Sequence, residues 1–191
     1  MVKSAFSILA VAAVAGIALT PVAASAATSG PTVLAYSTSP SGSDPDTTVT
    51  FSVTTGALSM TAPTTANLGS GAPGTTITGA LGAVTVTDDR ALLTASWTAT
   101  ASSSSWTTGG GTPAETIPAT DVGYDPGSVT TTGTITTTGT PITLANTAAP
   151  VVTGDAGVGN NTATWDPAVS VAVPAAAVGG TYAGTITQSV S

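Results

Sequence analysis

The 191-residue sequence contains no cysteine and no histidine, and charged residues make up 6% of it, against roughly 25% in an average soluble domain. Without thiols or imidazoles the chain can form no disulfide, no Cys–His zinc centre and no Ser–His–Asp triad. Lys3 and Arg90 are its two cations. So few cations cannot neutralise a phosphate backbone, and we therefore expect no nucleic-acid partner.

The N-terminus has the pattern of a secretory signal peptide. Lys3 precedes an apolar run over residues 5–19, Pro21 ends the run, and Ala24-Ser25-Ala26 forms a small-residue cleavage site. The run is shorter than the ~20 residues that span a bilayer. We therefore predict that residues 1–26 are removed and that the secreted chain has no membrane segment. Residues 27–191 carry one Arg and nine acids, a formal charge of +1 − 9 = −8.

The remainder of the sequence predicts an all-β protein, a single antiparallel β-sandwich. Thr, Val and Ile dominate, and clusters of Gly, Pro, Asn and Asp separate short runs of these β-branched residues. Residues 27–56 are expected to supply the N-terminal strands of the same domain as residues 57–191. The predicted strands lie near 32–37, 47–54, 57–61, 75–79, 82–88, 91–101, 128–137, 141–145, 150–153, 162–165, 168–173 and 181–190.

Alternation of apolar and hydroxylated residues predicts which side of each strand is buried. Val49, Phe51 and Val53 share one face, and the odd positions from Leu93 to Ala101, including Trp97, share another. Such a period of two specifies one buried and one solvated face.

The tract over residues 128–140 is the most Thr-rich part of the sequence. Its simplest interpretation is a polar edge strand or hairpin. Because charge is a main protection against edge pairing, the same tract could pair with another chain, or it could carry O-linked sugars. Self-association as a structural protein of the cell surface is therefore an alternative function.

The nine carboxylates predict no catalytic site. A glycosidase needs two of them opposed across a cleft, whereas most of these stand beside Gly or Pro, where Asp caps turns. Asp44 with Asp46, or Asp155 with Asn160 and Asn161, would offer oxygen ligands to calcium, but neither spacing matches an EF-hand loop. We expect no metal and no cofactor.

Arg90 and the tryptophans are the residues with most binding potential. Arg90 follows Asp88-Asp89, and it either forms a salt bridge that pins this turn or clamps a ligand carboxylate. Trp97 stands on an apolar strand face, which favours a core position. Trp106 lies in SSSSWTTGGG, where it either stacks on a sugar ring or anchors the loop.

Two stretches resemble the WxL cell-surface domain. Residues 74–102, with Asp88-Asp89-Arg90 before Trp97, are similar to the central block of that family, and residues 173–191, with Gly180-Thr181-Tyr182, are similar to its closing strand. The chain departs from the signatures where Ala99 replaces Leu and Gln188 replaces the second Trp. With these departures the chain resembles a divergent member of the family. The low charge and the abundant Thr and Ala are typical of a high-GC Gram-positive source.

The resemblance implies a non-catalytic, extracellular protein that associates non-covalently with the cell wall, through peptidoglycan or another wall glycan. A free-standing carbohydrate-binding module is a related alternative. The candidate binding residues are Trp97, Arg90, Trp106, Tyr182 and Gln188. Local alternation places Gln188 on the same face as Tyr182 and Ile186. Its amide is therefore either satisfied inside the protein or presented to a ligand.

Overall fold

The computed structural model describes residues 47–191, and within them Phe51–Ser191 form one compact unit that holds every described strand. Eleven strands follow one another along this unit. They are β1 Leu58–Thr61, β2 Thr76–Ala80, β3 Val84–Ser103, β4 Trp106–Thr107, β5 Thr116–Ile117, β6 Val122–Asp125, β7 Thr130–Gly139, β8 Ile142–Thr143, β9 Ala149–Trp165, β10 Ala168–Ala172 and β11 Ile186–Val190. The signal peptide, the strand predicted at 32–37 and the Asp44–Asp46 pair lie outside the described residues.

Two antiparallel sheets pack together as a sandwich, which confirms the predicted fold class. The larger sheet has the order β1-β3-β9-β7, with β11 also paired to β3, and the smaller sheet has the order β2-β10-β6-β8. Strands β4 and β5 form a separate two-stranded ribbon. Two 3-10 helices, Pro113–Glu115 and Ala119–Asp121, follow β4. No helix within residues 47–191 is long and apolar enough to cross a membrane.

The core lies between the two sheets and consists mainly of β-branched and aromatic side chains. Val84, Val86 and Trp165 enter it from the larger sheet, and Tyr124 and Val169 enter it from the smaller sheet. The predicted alternation on β3 is confirmed from Ala95 to Ala101, where Ala95, Trp97, Ala99 and Ala101 are all buried, but it is wrong at Leu93, which is 80% exposed. Removal of these apolar surfaces from water is the main force that holds the sheets together.

The strand predicted over residues 47–54 is wrong. Residues 47–57 carry no strand, and Val49, Phe51 and Val53 are 81%, 89% and 73% exposed. Here the alternation is present but no neighbouring strand covers the apolar side. A period of two therefore does not by itself create a buried face.

Two predicted turns are also wrong, because the first lies inside the long strand β3 and the second inside the long strand β9. The Asp-Arg turn at residues 88–91 is an irregularity within β3, where the register against β9 shifts between Asp88 and Leu92 and Ala91 has a φ of 54°. The Gly-rich stretch over residues 153–161 is the middle of β9. Its glycines serve close packing across the sheet rather than chain reversal. Strand β6 lies where the sequence predicts a loop, and its Val122 and Tyr124 side chains are both buried.

Candidate functional site

The surface of the compact unit contains a groove with a volume of about 560 Å³. We call it the aromatic groove and define it by Trp106, Tyr182, Leu68, Ile77, Ile117 and Val173. Its walls come from the loop over residues 66–73, from the β4–β5 ribbon and from the segment over residues 177–182. Its volume falls within the range of roughly 300–1,000 Å³ typical of small-ligand sites.

Trp106 is fixed in the groove by its own sequence neighbours. Its indole Nε1 donates a hydrogen bond of 2.9 Å to the Ser103 hydroxyl, and that hydroxyl in turn donates to the Ser104 carbonyl at 2.8 Å. The ring lies against Gly184, where a side chain would overlap it. Since the indole N–H is already used, what Trp106 can offer a ligand is an aromatic ring rather than a donor.

Tyr182 is brought beside Trp106 by pairing between distant segments. Thr107 and Ala183 exchange two backbone hydrogen bonds of 3.0 Å, which hold the residue after Trp106 next to the residue after Tyr182. The Tyr182 hydroxyl lies 3.0 Å from the carbonyl oxygens of both Ala114 and Val178, and donates to them. Tyr182 therefore ties the groove wall to the 3-10 helix and also presents its ring.

The loop over residues 66–73 closes the opposite wall because two glycines let it approach β2. A Cβ at Gly79 would lie 2.8 Å from the Leu68 Cα, and one at Gly71 would lie 2.7 Å from the Ile77 Cγ1. The Asn67 carboxamide oxygen accepts a hydrogen bond from the Gly69 N–H at 2.9 Å and shapes the turn. Sequence reasoning missed Leu68 and Ile77, because the Gly-rich stretch indicated only a loop and not what the loop covers.

The lining of the aromatic groove is uncharged. No Asp, Glu, Lys or Arg is among the described residues that form it, and its polar side chains are amides and hydroxyls such as Asn67, Ser70 and Thr181. Within residues 47–191, no three Asp, Glu, His or Cys side chains come together as a metal site would require. The groove can therefore stack against an apolar surface and exchange neutral hydrogen bonds, but it holds no carboxylate pair for hydrolysis.

Arg90 lies away from the groove and forms an ion pair with Asp88. Its Nε and Nη2 donate to the two Asp88 carboxylate oxygens at 2.9 and 2.8 Å, and Nη2 also donates to the Ser96 carbonyl at 2.8 Å. The Asp88 side chain is fully buried. Hydrogen bonding from Arg90 lowers the pKa of Asp88 and raises the pKa of Arg90 itself. Of the two interpretations of Arg90, the structure shows the salt bridge, which spans the irregularity in β3.

Trp97 is a core residue with 3% exposure. Its ring lies against Gly154 of β9, where an added Cβ would be 2.6 Å from Cζ2. The indole Nε1 has no hydrogen-bond partner among the described residues. A ring in this position cannot reach a ligand at the surface, so the candidate binding residue Trp97 acts in packing.

Gln188 faces inward, and its amide oxygen accepts a hydrogen bond from a side chain. The Tyr124 hydroxyl donates to the Gln188 Oε1 at 2.8 Å and accepts a hydrogen bond from the Trp165 Nε1 at 2.9 Å. Burial raises the pKa of Tyr124 to about 12. Gln188 is thus one end of a chain of polar side chains, Gln188–Tyr124–Trp165, that crosses the core.

Comparison with protein-family models, with curated proteins and with solved structures gave no match. The geometry of the aromatic groove and the sequence are therefore the observations that bear on function.

Proposed function

We propose that this protein is exported and remains at the bacterial cell wall by binding the glycan strands of peptidoglycan in the aromatic groove, without catalysis. The observation that supports this most directly is the groove itself, which sets the rings of Trp106 and Tyr182 in an uncharged lining. The C–H face of a sugar ring stacks on such aromatic surfaces. Its hydroxyl and acetamido groups match the amides, hydroxyls and peptide groups of the walls.

The charge distribution supports a neutral part of the wall as the ligand. The full sequence has a formal charge of −7, so the protein as a whole is repelled by anionic wall polymers. Peptide stems carry carboxylates and amines, for which the described lining of the groove has no charged partner. The N-acetylated sugars of the glycan strand carry no charge apart from lactyl groups that are mostly amide-linked, and they fit this lining best.

The sequence supports the proposed location outside the cell, at the cell wall. Residues 1–26 have the signal-peptide pattern, and the stretches around Trp97 and Tyr182 resemble a domain of wall-associated proteins. Of the five candidate residues, Trp106 and Tyr182 line the groove, while Trp97, Arg90 and Gln188 support the fold. The proposal therefore assigns recognition to the first two.

Binding to purified sacculi tests the proposal, with residues 27–191 as the protein and Trp106→Ala as the main variant. We expect the parent to sediment with sacculi and Trp106→Ala to lose most of this retention, because the stacking surface is removed. Trp106→Phe should keep part of it. Leu93→Ala is the matched control, since Leu93 is an apolar residue that is 80% exposed and lies outside the groove.

A second measurement uses a soluble chito-oligosaccharide and tryptophan fluorescence. Trp97 and Trp165 are 3% and 2% exposed, so a ligand-induced change should come from Trp106 and disappear in Trp106→Phe. Retention should also persist at high salt, because the groove contributes no ion pair that salt would screen. Equal retention of parent and Trp106→Ala, with both variants folded, would contradict the proposal.

A further inference from the structure

Strand β7 is an open edge of the larger sheet. It pairs with β9 on one side, and no strand within residues 47–191 pairs with its other side. The opposite edge of the sheet is covered by two short strands, β1 and β11, which both pair with β3. At ten residues β7 is the longest strand that ends either of the two main sheets.

The backbone groups on this edge point outward. The Thr140 N–H donates to the Val151 carbonyl at 2.8 Å, so even-numbered residues direct their peptide groups toward β9. Peptide groups alternate in direction along an antiparallel strand. Within the regular stretch of pairing from Thr136 to Gly139, those of Thr137 and Gly139 therefore face away from β9. An exposed row of this kind is a template for another strand.

The usual protections of such an edge are weak here. Strand β7 contains no charged residue and no proline, and its irregularity is limited to the register shifts around Thr134, next to Gly133 with a φ of 76°. From Thr136 to Gly139 the pairing with β9 is regular. At least this half of the strand presents a flat, neutral edge.

The side chains of the edge indicate which strand fits it. Thr134, Thr136 and Thr138 are exposed at alternate positions on one face. Inside the sheets, neighbouring strands already pair hydroxyl with hydroxyl, as in Thr132–Thr162 and in Thr100–Ser189 at 2.9 Å. A strand with hydroxyls at the same spacing is offered by β7 of a second copy, and a two-fold axis would make the contact self-complementary.

From these observations we infer that two copies of this protein associate through antiparallel pairing of their β7 strands, which joins their larger sheets into one. The two strands that would pair carry no charge themselves, and the carboxylate aligned with them is that of Asp155 on β9, opposite Thr136. The contact leaves the aromatic groove unused, because no β7 residue lines that groove. The inference is therefore independent of the proposed glycan binding.

Sedimentation equilibrium of residues 27–191, from micromolar to millimolar concentration, tests this inference. We expect a monomer–dimer equilibrium that Thr136→Lys/Thr138→Lys weakens about tenfold or more, because like charges then face each other across the new pairing. The matched control is Thr185→Lys/Thr187→Lys, which adds the same charge at exposed positions near the opposite edge and should leave the equilibrium unchanged. Circular dichroism verifies that both variants fold.

A labelling experiment identifies the surface that is used. Since the sequence lacks cysteine, Thr136→Cys provides a unique site for a pyrene label. We expect excimer emission that rises with concentration and that is absent from Thr187→Cys. A monomer at all concentrations, association that the β7 lysines leave unchanged, or excimer emission from Thr187→Cys alone would each overturn the inference. Sacculus binding by the β7 variants should remain normal, which separates this test from that of the groove.

Discussion

The ion pair between Arg90 and Asp88 gives the sharpest test of how the larger sheet is stabilised. The carboxylate is fully buried and accepts both side-chain and main-chain hydrogen bonds from Arg90. Arg90→Gln removes the charge that compensates it. Loss of one partner of a buried pair costs about 3–5 kcal/mol, and we expect the lower end, about 3 kcal/mol, because the Arg90 side chain is 29% exposed. For a domain of this size that corresponds to a fall in Tm of ~6–12 °C.

The pH dependence of this effect has a defined sign. In the parent, Arg90 lowers the pKa of Asp88 below its ordinary 3.8, so the stabilisation is present above that value and is lost as the pH falls through the lower, folded pKa. In Arg90→Gln, burial without a cation raises the pKa of Asp88 instead. As the Asp88 carboxylate of the variant takes up a proton, the free-energy cost of burying an uncompensated charge disappears. The difference between parent and variant should therefore shrink as the pH falls from neutrality toward the ordinary pKa of Asp.

Urea unfolding at several pH values, followed by tryptophan fluorescence, measures this difference directly. The double variant Asp88→Asn/Arg90→Gln removes both charges and should be more stable at neutral pH than Arg90→Gln alone. Asp89→Asn is the control, since the neighbouring carboxylate takes no part in the ion pair. If Arg90→Gln were within about 0.5 kcal/mol of the parent, a range usual for surface changes, or if the difference grew toward acid pH, the reasoning would be refuted.

Three further predictions concern the core. Gly154→Ala should lower the free energy of unfolding by about 1–3 kcal/mol, because its Cβ would overlap the Trp97 ring, whereas Gly179→Ala, with open space around it, should have little effect in the same urea titration. Gln188→Leu should cost about 1–3 kcal/mol, because the buried Tyr124 hydroxyl loses its acceptor, and unchanged stability would argue against that hydrogen bond. Ultraviolet titration should place the ionisation of Tyr124 at about pH 12. Since this folded pKa lies above the ordinary 10.0, stability should be retained below pH 10.0 and lost as the pH rises through about 12, and early ionisation before unfolding would contradict its burial.

Local sequence pattern determined the class of this fold and the buried face of the central stretch of β3. β-branched residues in alternation with hydroxylated ones favour pleated, one-sided strands whatever lies around them, and the buried stripe from Ala95 to Ala101 follows directly. The same pattern failed over residues 47–54, because burial requires a second surface that the segment itself does not encode. The glycine cluster of β9 was misleading in a different way. Such a cluster is typical of a turn, but here the glycines make room for the Trp97 ring and for Ala95.

The tertiary structure alone decided which candidate residues share a site. Trp106 and Tyr182 were both visible in the sequence, but the Thr107–Ala183 pairing brings them together, and the approach of Leu68 over Gly79 closes the wall opposite. Composition fixed the chemistry in advance, since a chain almost without cations and without Cys or His can recognise a ligand mainly through rings, hydroxyls and amides. The position of the site could not be predicted in the same way, because the Thr107–Ala183 pairing joins residues that are distant along the chain and adjacent only in the folded unit.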